Sequence, residues 1–219
     1  MAKKIHEYYS DDILVTYDVE RCIHAAECVR GLPSVFNTKK RPWIQPDQAA
    51  ADDVAEVIMR CPTGALHFER HDGGTAEPVP AENTIELDPD GALYVRGDIE
   101  IISSDGELLL EDTRVALCRC GASAIKPFCD GTHSKIGFKA PGTLTDDQLS
   151  QEEGESNSGK LTITPAKNGP LLVQGPVEII SADGESRCEG SNGALCRCGG
   201  SSNKPFCDGT HKKIGFEAA

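Results

Sequence analysis

Alternation between apolar and polar positions marks much of the chain as strand. Residues 13–19, ILVTYDV, alternate over one strand's length. Between 47 and 60, DQAAADDVAEVIMR sets Val54, Val57 and Ile58, with Met59, on one side of a helix. Asp47 is its expected cap and Pro62 its stop. LHF at 66–68 reads as a returning strand, while PSVF at 33–36 and RPWI at 41–44 read as loop and short strand. From residue 84 onwards period two dominates. TIELDPDGALYVRG and DIEIIS read as two strands around a DPDG turn, and ELLLED as a third. LTITPAKNGPLLVQG and VEIIS repeat the pattern 78 residues later.

The repetition is sharper immediately after those strands. ALCRCGASAIKPFCDGTHSKIGFKA at 116–140 and ALCRCGGSSNKPFCDGTHKKIGFEA at 194–218 differ at only five of 25 positions, so the constraint lies on the rest. Each copy spaces three cysteines and a histidine as C-x-C-x8-C-x3-H: Cys118, Cys120, Cys129 and His133, then Cys196, Cys198, Cys207 and His211. Thiolate and imidazole suit zinc, copper(I) or iron–sulfur clusters, whereas hard ions prefer oxygen. Two cysteines one residue apart can reach a single iron, and a Cys and His four apart can converge on a second. In CDGTH, Asp130 or Asp208 is the expected helix cap, which would place His133 or His211 near the third helical position.

At these residues the sequence resembles the CDGSH iron–sulfur domain family, with Thr132 and Thr210 where the family's name has serine. Pro127 and Pro205, two before the third cysteine of each copy, belong to the same likeness. The resemblance implies a [2Fe–2S] cluster held by three cysteines and one histidine in each repeat. Single-domain members pair as homodimers, so a tandem chain resembles that dimer written in one polypeptide. The residue types alone leave open a Cys3His zinc site or a disulfide framework.

Upstream, RCIHAAECVRG places Cys22 and Cys28 as C-x5-C, and Cys61 precedes Pro62. Through CVRG, PWI-x-PD and CP-x-GAL, residues 12–70 are similar to small, divergent single-cluster bacterial ferredoxins. In that family a cysteine often stands midway in the first motif; here the position is Ala25. The likeness therefore implies three thiolates, Cys22, Cys28 and Cys61, on a [3Fe–4S] cluster or on a [4Fe–4S] cluster with one iron ligated otherwise. His24 is either that ligand or a solvent-facing loop residue. Buried thiols without a cluster are the alternative.

Composition adjusts this picture in three ways. Among 219 residues the aromatic content is 5% and the hydrophobic content 38%, lean enough to favour small metal-stapled domains over one large core. The net charge of −13 argues against nucleic acid or an anionic membrane as partner and suits docking to a basic face on a redox partner, although a solvated acidic surface is the commoner reason for such a charge. Ten cysteines without an apolar leader segment or an 18-residue apolar run fit a soluble, cytoplasmic metalloprotein rather than a secreted disulfide framework. Cys188 aligns with Leu110 and reads as a plain apolar strand residue. Residues 71–82 read as a linker and 143–159 as a mobile acidic connector.

The fold expected is α+β: a small ferredoxin-like domain at 1–71, then two mainly β CDGSH domains at 83–140 and 160–219, paired as an intramolecular pseudo-dimer and monomeric in solution. No Rossmann glycine motif, P-loop or nucleophile elbow is present, so no enzyme is expected. Electron transfer or redox sensing with a redox partner protein is the favoured role. The alternatives are cluster storage or transfer to an apo-protein acceptor, and a structural zinc scaffold. Neutral imidazole in place of a thiolate raises cluster potentials, so electrons are expected to run from the N-terminal cluster to the repeats.

Overall fold

The structure, a computed structural model, describes residues 4–151 and 159–218. It is mainly β with few helices and divides into two units, Met1–Pro78 and Val79–Ala219.

In the first unit, β1 (Ile5–Tyr9), β2 (Ile13–Asp18) and β3 (Leu66–Arg70) form an antiparallel sheet in that order. β1 is largely exposed on both faces, so its sequence, IHEYY, lacks the apolar alternation that marks β2. Helices α1 (Glu27–Gly31) and α2 (Ala51–Met59) lie between β2 and β3. Ile13, Val15 and Tyr17 from β2 pack with Val54, Val57 and Ile58 from α2, closed by Phe36 and Ile44. Helix α2 starts later than its apolar pattern suggests. Pro46–Gln48 forms a separate 3-10 turn, and Ala50 stands at the cap with no side-chain hydrogen bond, so Asp47 does not cap the helix. Beyond β3 the His67 ring nitrogen Nδ1 meets Glu77 Oε1 at 2.9 Å, which fastens part of the Gly/Pro-rich stretch back onto the strand.

In the second unit each repeat supplies three strands and one short helix. The first gives β4 (Thr84–Leu87), β5 (Leu93–Ile102), β6 (Leu108–Leu117) and α3 (Thr132–Ile136). The second gives β7 (Leu161–Pro165), β8 (Leu171–Ile180), β9 (Arg187–Leu195) and α4 (Thr210–Lys213). LYVRG and DIEIIS are thus halves of one strand, β5, and the DPDG turn joins β4 to it. Each long central strand changes partner midway. β5 pairs antiparallel with β4 through Leu93–Arg96, then parallel with β7 through Ile99–Ile101. β8 mirrors it, antiparallel to β7 and then parallel to β4 through Glu178–Ile180. The switch falls at Gly97 and Gly175, with φ of 144° and 103°. A Cβ on Gly97 would stand 2.0 Å from Asn83 Oδ1, and one on Gly175 would stand 2.3 Å from the Lys160 carbonyl oxygen. Only glycine permits both that backbone and that approach.

Because the strands interlock, both repeats feed one core: Ile85, Val95, Ile99 and Ile101 from the first, Ile163, Val173 and Ile179 from the second. Each such buried side chain contributes about 1.5–3 kcal/mol. Cys188 belongs to this core, and burial pushes its thiol up to about 11.

The connector between repeats is less free than its composition implies. Ser150 N–H donates to the Asn192 carbonyl (2.9 Å), and Ser191 and Asn192 N–H groups both donate to the Ser150 carbonyl (2.9 and 3.1 Å). Leu149 lies over Gly190 and Gly193 of β9, where any added Cβ would meet it within 2.5 Å. The expected mobile stretch beyond it, residues 152–158, lies outside the described residues.

Candidate metal centres

Each CDGTH motif is built by a chain that turns back on its own strand. Cys118 N–H donates to the Pro127 carbonyl (2.8 Å) and Cys129 N–H to the Ala116 carbonyl (2.9 Å), so the third cysteine lies beside the first. The second repeat repeats both bonds, Cys196 to Pro205 (2.7 Å) and Cys207 to Ala194 (2.9 Å). Ser123 and Ser201 hydroxyls lock the intervening loops by donating to the Phe128 and Phe206 carbonyls, each at 2.7 Å.

The aspartate after the third cysteine does not act as the helix cap. Gly131, at φ 79°, holds the cap position of α3, which makes His133 the second helical residue, and Gly209 does the same for α4 and His211. Asp130 instead accepts from Ala124 N–H (2.8 Å) and Thr132 N–H (2.9 Å), tying the cysteine loop to the helix start. Asp208 accepts from Ser202 N–H (2.9 Å), Ser202 Oγ (2.8 Å) and Thr210 N–H (3.0 Å). These bonds hold the Asp208 carboxyl well below the usual carboxylate range.

The donors come together in twos. Cys118 and Cys120 sulfurs are 3.8 Å apart, and those of Cys196 and Cys198 are 3.7 Å apart. Cys129 Sγ is 3.3 Å from His133 Nδ1, and Cys207 Sγ is 3.3 Å from His211 Nδ1. Two thiolates on one tetrahedral metal, each about 2.3 Å from it, stand about 3.8 Å apart; a thiolate and an imidazole stand about 3.5 Å apart. Each pair therefore has the bite of two ligands on one metal. Among the described residues no three His, Cys, Asp or Glu side chains gather into a group for a single ion.

Within the first repeat the two sulfurs of the Cys118–Cys120 pair are pushed in opposite directions. The hydrogen bond with Cys120 draws Cys118 down to about 6, and the same bond pushes Cys120 up, so one proton is shared between two sulfurs. Burial pushes Cys129 up to about 11, against the Gly131 N–H that points at its sulfur from 3.4 Å. Gly200 N–H faces Cys198 Sγ in the same way, at 3.4 Å.

The two motifs abut. Cys120 and Cys198 form an antiparallel bridge, and a Cβ on Gly121 or Gly199 would stand 2.5 or 2.6 Å from the opposite cysteine's carbonyl oxygen. Sequence reasoning passed over Arg119 and Arg197, the residues between the paired cysteines. Both are 1% exposed. Arg119 donates to the carbonyls of Gly91 (3.1 Å), Asp88 (2.5 Å) and Ala140 (3.0 Å). Arg197 donates to those of Gly169 (2.8 Å) and Ala166 (2.6 Å). Each guanidinium also lies 5.6 Å from a ring centroid, Phe138 or Phe216. Their identity in both copies was the available signal.

In the first unit Cys22, Cys28 and Cys61 line one hollow with Ala25, Tyr17 and Trp43, and the wall is otherwise mostly apolar. Tyr17 and Trp43 meet edge to face, with centroids 5.0 Å apart. Burial, then the neighbouring Cys61, pushes Cys28 up to about 11. The loop carrying Cys22 and Cys28 holds two non-glycine residues in the left-handed region, His24 at φ 61° and Ala26 at φ 67°. Such strain persists where surrounding structure imposes it, typically at binding sites. His24 is exposed and outside the wall of the hollow, with Nδ1 3.9 Å from Cys22 Sγ. The three thiols and the shape of the hollow fit a cluster; His24 faces one of its thiols from outside.

Comparison with known proteins agrees with this division. Residues 8–71 match the family described as divergent 4Fe-4S mono-cluster. Residues 90–134 and 168–212 each match the iron-binding zinc finger of CDGSH type. The uncharacterized protein YjdI of Escherichia coli strain K12 is 42% identical over 64 residues, which are 29% of this chain and 83% of that protein. YjdI of Escherichia coli O157:H7 matches to the same extent. No solved structure gives a significant match. No helix among the described residues is long and apolar enough to cross a membrane.

Proposed function

Since the chain belongs to the divergent 4Fe-4S mono-cluster family at its N-terminus and carries two iron-binding CDGSH domains, it is an iron–sulfur protein, and we propose that it carries or senses electrons. When bound, clusters at the three sites would supply one-electron redox chemistry. The observation carrying the reading is the pairing of donors: thiol with thiol at 3.7–3.8 Å and thiol with imidazole at 3.3 Å in each repeat. That two-plus-two arrangement suits a [2Fe–2S] cluster better than one tetrahedral zinc, whose four ligands would all crowd to similar distances.

In this reading Cys118 and Cys120 hold one iron of the first repeat and Cys129 and His133 the other. Cys196, Cys198, Cys207 and His211 do the same in the second. Cys22, Cys28 and Cys61 hold a [3Fe–4S] or [4Fe–4S] cluster. The N–H groups of Gly131 and Gly200 stabilise thiolate charge without covalent change. Reciprocal strand pairing and the shared core support reading the two repeats as an intramolecular pseudo-dimer. The first unit, a three-stranded sheet with two helices, serves as the ferredoxin-like module. A cytoplasmic location and a redox protein as partner complete the proposal, with no catalytic substrate site.

The test is iron, zinc and acid-labile sulfide content, with visible and EPR spectra, after anaerobic purification. Two [2Fe–2S] clusters and one cubane-type cluster per chain are expected. Stoichiometric zinc without sulfide would overturn the reading. Cluster donation is a second reading, favoured by the half-buried imidazoles of His133 and His211. Release of clusters to an added apo-ferredoxin would establish it.

A further inference from the structure

Charge is spread unevenly along this chain. Residues 116–140 hold four lysines or arginines against one aspartate, and residues 194–218 hold four against two carboxylates. Together the two motifs are +5 in a chain of −13, which leaves −18 on the rest. Most of their charges are committed. Asp130 and Asp208 accept backbone N–H groups, and Arg119, Arg197, Lys126 and Lys204 donate to carbonyls of their own repeat. Lys139 pairs with Asp90 at 2.7 Å. Lys135, Lys212 and Lys213 are exposed and have no carboxylate partner among the described residues.

Beside these lysines stand two isoleucines. Ile136 closes α3 and Ile214 follows α4, and they are 52% and 53% exposed. They occupy the same position in the two copies. The other large apolar side chains exposed within the repeats, Leu108 and Leu172, have Ser186 and Tyr94 at the equivalent places. An exposed isoleucine kept in both copies answers to something other than the core. Each follows its motif's histidine by three residues, which puts the two side chains on one side of a helical turn. Ile214 lies over Gly200, where an added Cβ would meet its Cδ1 at 3.0 Å and the Cys198 sulfur at 3.8 Å. Cys198 in turn bridges Cys120 of the other repeat, so the two copies of this surface flank one seam. We propose that the face bearing Ile136, Ile214, Lys135, Lys212 and Lys213 docks the acidic face of another protein.

The make-up of the face decides the class of partner. An apolar centre edged by unpaired cations suits a small, transient protein interface, in which apolar contact holds the pair and charge speeds their encounter. A membrane or a nucleic-acid duplex would extend past the face and meet the −18 carried elsewhere. A globular partner touches the face alone, within one Debye length, about 8 Å, of the lysines. The net charge of the whole chain suits a basic partner; the face beside the cysteine motifs suits the opposite. That the partner is a redox protein rests on the cluster reading above, and docking here brings it against the half-buried His133 and His211.

Iron and sulfide of the full-length protein are measured first, and their absence would refute the cluster reading. Docking is read separately, as the dissociation constant for an acidic plant-type ferredoxin. Binding should weaken about tenfold between roughly 20 and 200 mM salt. Lys135→Glu with Lys213→Glu should weaken it about tenfold at low salt. Lys39→Glu with Lys40→Glu, exposed lysines of the first unit that change net charge equally, should leave it as in wild type. Lys135→Gln with Lys213→Gln should fall between wild type and the first Glu pair, and stands in for that pair should it fold poorly. Ile136→Ser with Ile214→Ser should weaken binding at both salt concentrations. Absence of ferredoxin binding, binding that ignores salt, or an equal fall in both Glu pairs would overturn the proposal. Phosphatidylserine vesicles or a DNA duplex bound through the same lysines in place of ferredoxin would give the face to a membrane or a nucleic acid, and would overturn it too.

Discussion

At the scale of single residues, the histidines differ from the cysteines they accompany. His133 Nδ1 and His211 Nδ1 each stand 3.3 Å from a cysteine sulfur, and in the proposed clusters each would replace a fourth thiolate. Imidazole bound to iron has given up the lone pair that a proton would take, so acid competes directly for the site. A fourth thiolate would add negative charge and hold iron to lower pH. His133→Cys and His211→Cys should therefore keep their clusters at a pH where wild type has bleached, and should show lower reduction potentials. A titration of visible absorbance, paired with voltammetry, measures both; unchanged acid lability and potential in both variants would remove histidine from the ligand set. His24→Ala should leave the N-terminal cluster intact, since that side chain is exposed and outside the hollow. The soft donors were legible because their types and spacing carry chemistry whatever the fold. Arg119 and Arg197 were not, because an arginine between cysteines looks like a solvated residue until the fold buries it. Asp130 shows the complementary error: an aspartate before a helix suggests a cap, but the left-handed Gly131 takes that position and frees the carboxylate to bind the loop.

At the scale of elements, period two located nearly every strand of the repeats and could not show where a strand changes partner. YVRG and DIEIIS carry the same alternation whether they are two strands or one, and only the three-dimensional approach at Gly97 joins them. Gly175→Ala tests that joint. Its Cβ would sit 2.3 Å from the Lys160 carbonyl, in a backbone conformation at φ 103° that alanine avoids. The cost should be about 2–3 kcal/mol, a drop of roughly 5–10 °C in the melting temperature of this unit. A variant melting with wild type would mean that the partner switch tolerates a side chain. The connector makes the same point from the other side. Asp, Gln, Glu and Ser in 143–159 signal a loose chain, yet Leu149 finds the gap that Gly190 and Gly193 leave on β9. Leu149→Ala should cost about 1–2 kcal/mol, less than a fully buried leucine because this one is only partly covered.

At the scale of the molecule, the decisive feature is which pieces own a core. Residues of the first unit share one set of buried side chains, and the two repeats together share another. Domain boundaries drawn from motif spacing place three modules along the chain, 1–71, 83–140 and 160–219, with the two repeats expected to pair, but a motif repeated at a fixed offset does not reveal that the copies share strands within one sheet. The pairings β4 with β8 and β5 with β7 make the repeats one folding unit. Residues 79–219 expressed alone should thus melt in a single cooperative transition and retain the iron–sulfur clusters proposed for both repeats. Residues 79–142 alone should not, since the far half of β5 would lose its bonds to Leu161–Ile163 and β4 its bonds to Glu178–Ile180. Ile85, Ile99 and Ile101, now within 1% of full burial, would lose partners from the second repeat. An exposed strand edge with apolar side chains behind it seeks another chain, so the fragment should appear as a dimer or aggregate in light scattering. A stable monomeric fragment with its cluster in place would show that each repeat holds its own core, and that the interlocked strands add geometry without adding stability.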